Sequence, residues 1–235
     1  MIDAKKLLED FLGTGGASRP GQKPGAGMTG LPGGLGNLAT GAAGGGLIAL
    51  LLGSKKGRKL GGSMLGYGGA AVLGGLAYKA WKDWSEQRAP AQPAAGTAAQ
   101  LPAPPANSGF DLEKETASGG SDARIAVVRA MIAAAKADGH IDAAEQRDLF
   151  DRIGQLQLDS EEKAFVMDEL AKPLDIDEIA RLPRNQEQAT EIWLASRLAI
   201  DPDDPREKAY LEELATRMKL PSDLVAHLEA QASAV

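Results

Sequence analysis

The chain has 235 residues, no cysteine and a formal net charge of -6, which excludes a disulfide framework, a thiolate nucleophile and a cysteine-based metal site. Its mean hydropathy of -0.21 is too polar for a polytopic membrane protein and suits a short membrane segment joined to a water-facing part. The charge is unevenly divided: residues 1–88 carry 11 basic and 5 acidic side chains, residues 89–235 carry 15 and 27, so a first part suited to anionic headgroups precedes an acidic part unsuited to neutralising nucleic-acid phosphates.

In chain order, residues 1–12 come first. Ile2, Leu7, Leu8, Phe11 and Leu12 spell a short amphipathic helix, able to lie on a membrane surface or to pack on the rest of the protein. Lys5, Lys6, Glu9 and Asp10 interrupt any apolar core, so no cleavable signal peptide is expected there. Residues 13–34 are rich in Gly, Pro and Ser without apolar periodicity and read as disordered. Two runs then lack any charge, Pro24 to Ser54 and Leu60 to Tyr78, and between them stand Lys55, Lys56, Arg58 and Lys59. A membrane-crossing helix needs about 20 mainly apolar residues. Leu35–Gly53 and Leu60–Trp81 both supply such a stretch, so residues 35–84 are expected to form a Gly-rich membrane helical hairpin.

Small residues recur every fourth position in both arms, Gly41, Gly45, Ala49 and Gly53, then Gly62, Gly66, Ala70 and Gly74. Such stripes let helix backbones approach closely in lipid, which makes a homo-oligomer through these Gly-zipper helices a further expectation. Tyr78, Trp81 and Trp84, beside Lys79 and Lys82, read as an interfacial belt. The Lys55–Lys59 cluster favours a cytoplasmic turn, while the basic residues of 1–34 and 79–88 leave open a single span with the sides exchanged.

Residues 89–120 form an Ala/Pro-rich linker with Pro90, Pro93, Pro102, Pro104 and Pro105, expected as an extended spacer. Residues 121–235 are expected to be a compact, wholly α-helical domain. The helices fall over Arg124–Ala137, Asp142–Leu156, a segment capped by Ser160 and stopped before Pro173, Asp175–Leu182, Gln186–Ile200, Pro205–Met218 and Ser222–Gln231. No stretch alternates as a β-strand does, so the fold class is all-α.

Two acidic loops carry the candidate chemistry. Ala134–Glu145 overlays the second half of an EF-hand loop, with Asp138, Gly139, Asp142 and Glu145 in register. Ala134 and Lys136 stand where the first ligands belong, which rules out a standard EF-hand. Sixty-two residues on, Asp204, Glu207 and Leu211 repeat the spacing of Asp142, Glu145 and Leu149, with Asp201 and Asp203 alongside. Loops packed side by side would offer hard oxygen ligands, Asp138, Asp142, Glu145, Asp201, Asp203, Asp204 and Glu207, to a divalent cation, Ca²⁺, Mg²⁺ or Mn²⁺. Helix capping competes with that reading. Asp142-x-x-Glu145 and Asp204-Pro-x-Glu207 are capping-box-like, and Gly139 suits a positive-φ residue after a helix. Only Asp138, Asp201 and Asp203 are then left over. His140 reads as an exposed loop residue.

Nucleophilic catalysis has no motif here: no Gly-x-Ser-x-Gly, no phosphate loop, no His pair on one helix face. A non-enzymatic interaction module is therefore the leading expectation, acting through an unidentified protein partner and the lipid bilayer, with no nucleic acid. A metal-dependent hydrolase built on the acidic cluster and a purely structural membrane oligomer are the alternatives.

The run Ala130-Met131-Ile132-Ala133-Ala134-Ala135-Lys136-Ala137-Asp138-Gly139-His140-Ile141-Asp142-x-x-Glu145 resembles the signature of the YebE-type bacterial inner-membrane proteins, whose soluble part is similar to the tellurite-resistance TerB domain. Leu170–Asp175, Ala195–Asp201, the Gly-rich apolar runs and the opening Ile2–Leu8 fit the same pattern. The resemblance implies a TerB-like helical bundle with clustered acids, a suspected metal site on the seven acids named above, and a place in the bacterial inner (cytoplasmic) membrane. It implies no reaction.

Overall fold

A computed structural model describes residues 2–12, 69–90, 103–105, 108–137, 139, 158–200 and 204–233. Within them the regular elements are helices, joined by irregular segments with one isolated β-bridge, Thr116–Asp122. The elements are α1 (Ala4–Leu12), α2 (Gly69–Ser85), α3 (Ala123–Ala135), α4 (Ser160–Ala171), α5 (Ile176–Ala180), α6 (Gln186–Leu198), α7 (Pro205–Arg217) and α8 (Ser222–Ala232). The expected helix over 142–156 and the expected disordered segment 13–34 lie outside the described residues, as does the first apolar run.

Most helix starts are chemically specified. Asp122 caps α3 by accepting the Arg124 N–H, and Asn185 caps α6 through the Gln188 N–H. Asp175 caps α5 through Glu178. Helix α4 differs by one residue from its sequence reading. Asp159, not Ser160, is the N-cap, because it forms a reciprocal capping box with Glu162. Glu162 also ties α1 to this corner, its Oε2 accepting from Lys6 Nζ at 2.6 Å.

Helix α6 is the centre. Every residue from Gln188 to Ser196 is buried, and α2, α3, α7 and α8 pack around it. A helix buried all round occupies the middle of a core rather than its edge. Trp193 fills that middle and donates its indole N–H to the Leu211 carbonyl at 3.0 Å. Helix α3 packs along α6 and is covered by α1, α4 and α5. Each fully buried Leu or Ile in such a core contributes roughly 1.5–3 kcal/mol.

Three sequence expectations end differently, and one physical fact lies behind them: segments distant in sequence supply each other's apolar partners. Helix α2 covers the end of the expected second hairpin arm, and it packs on α1, α6 and α8. Val72, Leu73, Leu76, Ala77 and Ala80 are buried there. Among the described residues no helix is long and apolar enough to cross a membrane. The aromatic belt is a packing cluster: Tyr78 and Trp81 meet the Phe110 ring edge-on, with centroids 5.7 and 5.8 Å apart. Phe110, Leu112 and Ala117 are buried in the same core, so the last third of the Ala/Pro-rich segment belongs to the bundle instead of standing clear as a spacer. Finally, α1 lays Leu7, Leu8 and Phe11 into the core, which selects packing over the membrane surface.

Candidate functional site

The acidic loops are described only in part. Asp138, Asp142, Glu145, Asp201 and Asp203 lie outside the described residues. Gly139 has φ +71° and donates its N–H to the Lys136 carbonyl at 3.0 Å, the positive-φ exit expected after a helix. Lys136 spans from the end of α3 to the end of α4. Its Nζ donates to the Glu169 carbonyl at 3.1 Å and to the Lys172 carbonyl. A cation on orphan carbonyls at a helix C-terminus is favourable. Burial, with Lys172 close by, holds the Lys136 pKa below its ordinary value despite Glu169.

Asp204 and Glu207 are placed, at the start of α7. Asp204 Oδ1 accepts the Arg206 backbone N–H at 2.8 Å. The guanidinium of Arg206 returns to the same carboxylate, Nε to Oδ1 at 3.2 Å and Nη2 to Oδ2 at 2.9 Å. Pro205 occupies the first turn. Both oxygens of Asp204 thus serve the helix start and a cation the chain itself provides, so Asp204 fits a metal poorly. Among the described residues no three His, Asp or Glu side chains converge to hold a metal ion.

The bundle holds a second concentration of acids that periodicity did not single out. Glu191, in the middle of α6, is fully buried. Neither of its oxygens has a hydrogen-bond partner among the described residues. The crevice beside it is lined by Leu112, Ala126, Val127 and Ile192 and has no room for a water molecule. Burial, then the charges of Glu115, Asp111 and Glu187, push its pKa well above the ordinary glutamate value. Gly74 of α2 covers it. A Cβ at Gly74 would stand 3.5 Å from Glu191 Oε1 and 3.0 Å from the Phe110 carbonyl oxygen, so α2 approaches closely only because this position lacks a side chain. Beside Gly74 a groove of about 280 Å³ runs between α2 and the segment Phe110–Glu113.

At the other end of α2 sits His227, 5% exposed. Its Nδ1 lies 2.8 Å from the Asp223 carbonyl and its Nε2 2.8 Å from the Arg88 carbonyl. Asp223 also bonds Trp84, and this bond leads the effects holding its carboxyl below the usual range. Asp83 is pushed up by burial, but Lys79 at 2.6 Å and Arg88 at 3.3 Å outweigh that and hold it low. The Asp223–Trp84 and His227–Arg88 bonds therefore fasten the end of α2 to α8, while Lys79, Asp83 and Arg88 pair within the α2 segment.

A family model, "Protein of unknown function (DUF533)", matches residues 37–232, a span that takes in most of the first apolar run and helices α2 to α8 and leaves α1 outside. An uncharacterized protein in the ampR 5' region of Yersinia enterocolitica is 31% identical over 98 residues, 42% of this chain and 70% of that protein. No solved structure matches. The match over most of its length, and the 31% identity to a protein of which it covers 70%, make the chain a member of the DUF533 family of proteins of unknown function.

Proposed function

We propose that the protein is a membrane-anchored, non-enzymatic interaction module of the YebE type in the bacterial inner membrane, with a TerB-like helical bundle as its working part. The observation that carries the reading is the charge-free run ending at Ser54, with Leu35–Gly53 at its heart, closed by Lys55, Lys56, Arg58 and Lys59. Such a run is long enough to cross a bilayer, and its basic flank suits anionic headgroups. With α2 docked on the bundle, this first run is the anchor, and a second span needs α2 to leave α6 and α8. The stripe Gly41, Gly45, Ala49 and Gly53 supports self-association of the anchor. The acidic bundle then faces partners other than nucleic acid.

The cation clause of the proposal rests on Asp138, Asp142, Glu145, Asp201 and Asp203, the acids of the two loops, with Glu207 adjoining. The capping role of Asp204 is satisfied without a metal.

The test is flotation of the full chain with vesicles containing anionic lipid, followed by washes in high salt. Salt-resistant flotation that disappears when residues 35–53 are deleted is expected. Recovery of the intact chain in the unbound fraction would sink the anchor. Calorimetry of the full chain in millimolar Ca²⁺ or Mn²⁺ should show a raised Tm, and an unchanged Tm for every common divalent ion removes the cation clause.

A further inference from the structure

Helix α2 closes over one group whose best fit is its protonated form, Glu191. What faces it from each neighbour can be stated: Gly74 from α2, Ala126 and Val127 from α3, Glu115 and Asp111 from the segment before α3, and Glu187 from its own helix. No basic group is among them. A carboxylate enclosed there without a bond or a counter-ion costs far more than a neutral carboxyl, so closure of α2 over it selects the acid form.

We propose that α2 is a proton-latched arm: a proton on Glu191, enclosed under Gly74, closes it on α6, and loss of that proton opens it and uncovers the apolar face of Val72, Leu73, Leu76, Ala77 and Ala80. The direction for Glu191 follows from linkage. Its pKa in the closed state lies above the ordinary 4.5, so the closed arm binds the extra proton. Closing is then strongest below about pH 4.5 and weakens as pH rises toward the closed-state pKa, by up to tenfold per pH unit. The latch does not depend on what the arm meets when open, and it stands or falls without a bilayer.

The test is hydrogen exchange of the full chain, without lipid, across a pH series, with rates corrected for the intrinsic pH dependence. Protection of the amides of 72–80 should fall as pH rises, by up to about tenfold per unit, relative to the amides of α4 in the same molecule. In the variant E191Q that relative slope should vanish. A wild-type chain whose α2 and α4 protection keeps a constant ratio at every pH overturns the latch, whether or not the variant folds. A folded E191Q variant that retains the wild-type slope overturns it equally.

Discussion

Helices α3 and α6 stand one sequence repeat apart, and they use the same register to opposite ends. The offset of 62 residues that aligns Asp142 with Asp204 also aligns Met131 with Trp193 and Arg129 with Glu191. Met131 and Trp193 are both fully buried. The charged pair behaves differently. Arg129 sits where α3 meets α4 and α5, and it bonds Glu169 at 3.2 Å and also Glu178. Glu191 sits where α6 is enclosed by α2 and α3 and bonds nothing among the described residues. A charge at one position of a repeat is a structural clamp in the copy that reaches an edge. In the copy that is surrounded it is a stored cost. A surrounded charge kept at a cost is a stronger pointer to regulation than a satisfied one.

The comparison is broken most severely at its shared apolar position. Trp193→Ala should cost about 3–5 kcal/mol, because it empties the centre of α6 and leaves the Leu211 carbonyl without its donor. Chemical denaturation of the full chain measures this. Met131→Ala should fall at or below that range, and a larger loss at Met131 would move the centre of the core to α3. Next come the two charges. Arg129→Met leaves Glu169 and Glu178 facing one another, for a loss of roughly 1–3 kcal/mol, discounted from the fully buried case because Glu178 is 46% exposed. Glu191→Met should act with the opposite sign, stabilising by roughly 1–3 kcal/mol at pH 7 by removing an uncompensated acid. Its folded-state pKa is raised, so its contribution to wild-type stability is most favourable below the unfolded value of about 4.5 and declines as pH rises. The advantage of Glu191→Met must therefore shrink in acid. An advantage of equal size at pH 4 and pH 7 would contradict the buried titration.

A smaller effect discriminates between a packing role and a lipid role for the small-residue stripe. Replacing a helix-interior Gly by Ala ordinarily gains about 1 kcal/mol. At Gly74 the new Cβ would stand 3.0 Å from the Phe110 backbone oxygen, and a carbonyl held by the core cannot easily give way. Gly74→Ala should lose about 1–2 kcal/mol through overpacking, read in the full chain without detergent. The ordinary gain would mean that α2 does not rest on Phe110 in solution.

Periodicity and capping made most of the bundle legible. Asp175, Asp204 and Pro205 mark helix starts by local chemistry, and Ile192, Trp193 and Leu198 mark an inward face. What stayed hidden is non-local. Nothing near Trp81 reveals that its partner is Phe110, across a proline-rich stretch, so an aromatic cluster beside two lysines read as a membrane belt. Glu191 follows Gln186, Glu187 and Gln188, the profile of an exposed first turn, and only the arrival of α2 encloses it. Gly74 fits a lipid stripe and a close helix–loop approach equally well, because both need the same missing side chain. The acidic loops were singled out by their carboxylates, and of the two placed members Asp204 resolves into a cap whose proper analogue is Asp122.

That analogue supplies the sharpest test of the remaining acids. Asp122 and Asp204 are the same device: each caps a helix through the N–H two residues on and holds the guanidinium of that arginine. The bonds are 2.9, 2.9 and 2.6 Å at Asp122–Arg124 and 2.8, 3.2 and 2.9 Å at Asp204–Arg206. The two carboxylates are similarly half-exposed, 31% and 33%. Loss of either cap by substitution with Ala should cost about 1 kcal/mol. The surroundings differ, since Asp122 follows Gly119, Gly120 and Ser121 whereas Asp204 follows Asp201 and Asp203. Asp122→Ala is thus a cap deletion away from the acid cluster, measured in the same molecule. If the loops bind no cation, the two losses stay equal with or without millimolar Ca²⁺ or Mn²⁺. If the neighbouring acids gather an ion, Asp204→Ala disturbs the loop that presents them, and its cost should grow on adding the ion while that of Asp122→Ala stays fixed. Equal losses under both conditions leave Asp204 a cap alone and weaken the case for its neighbours as ligands.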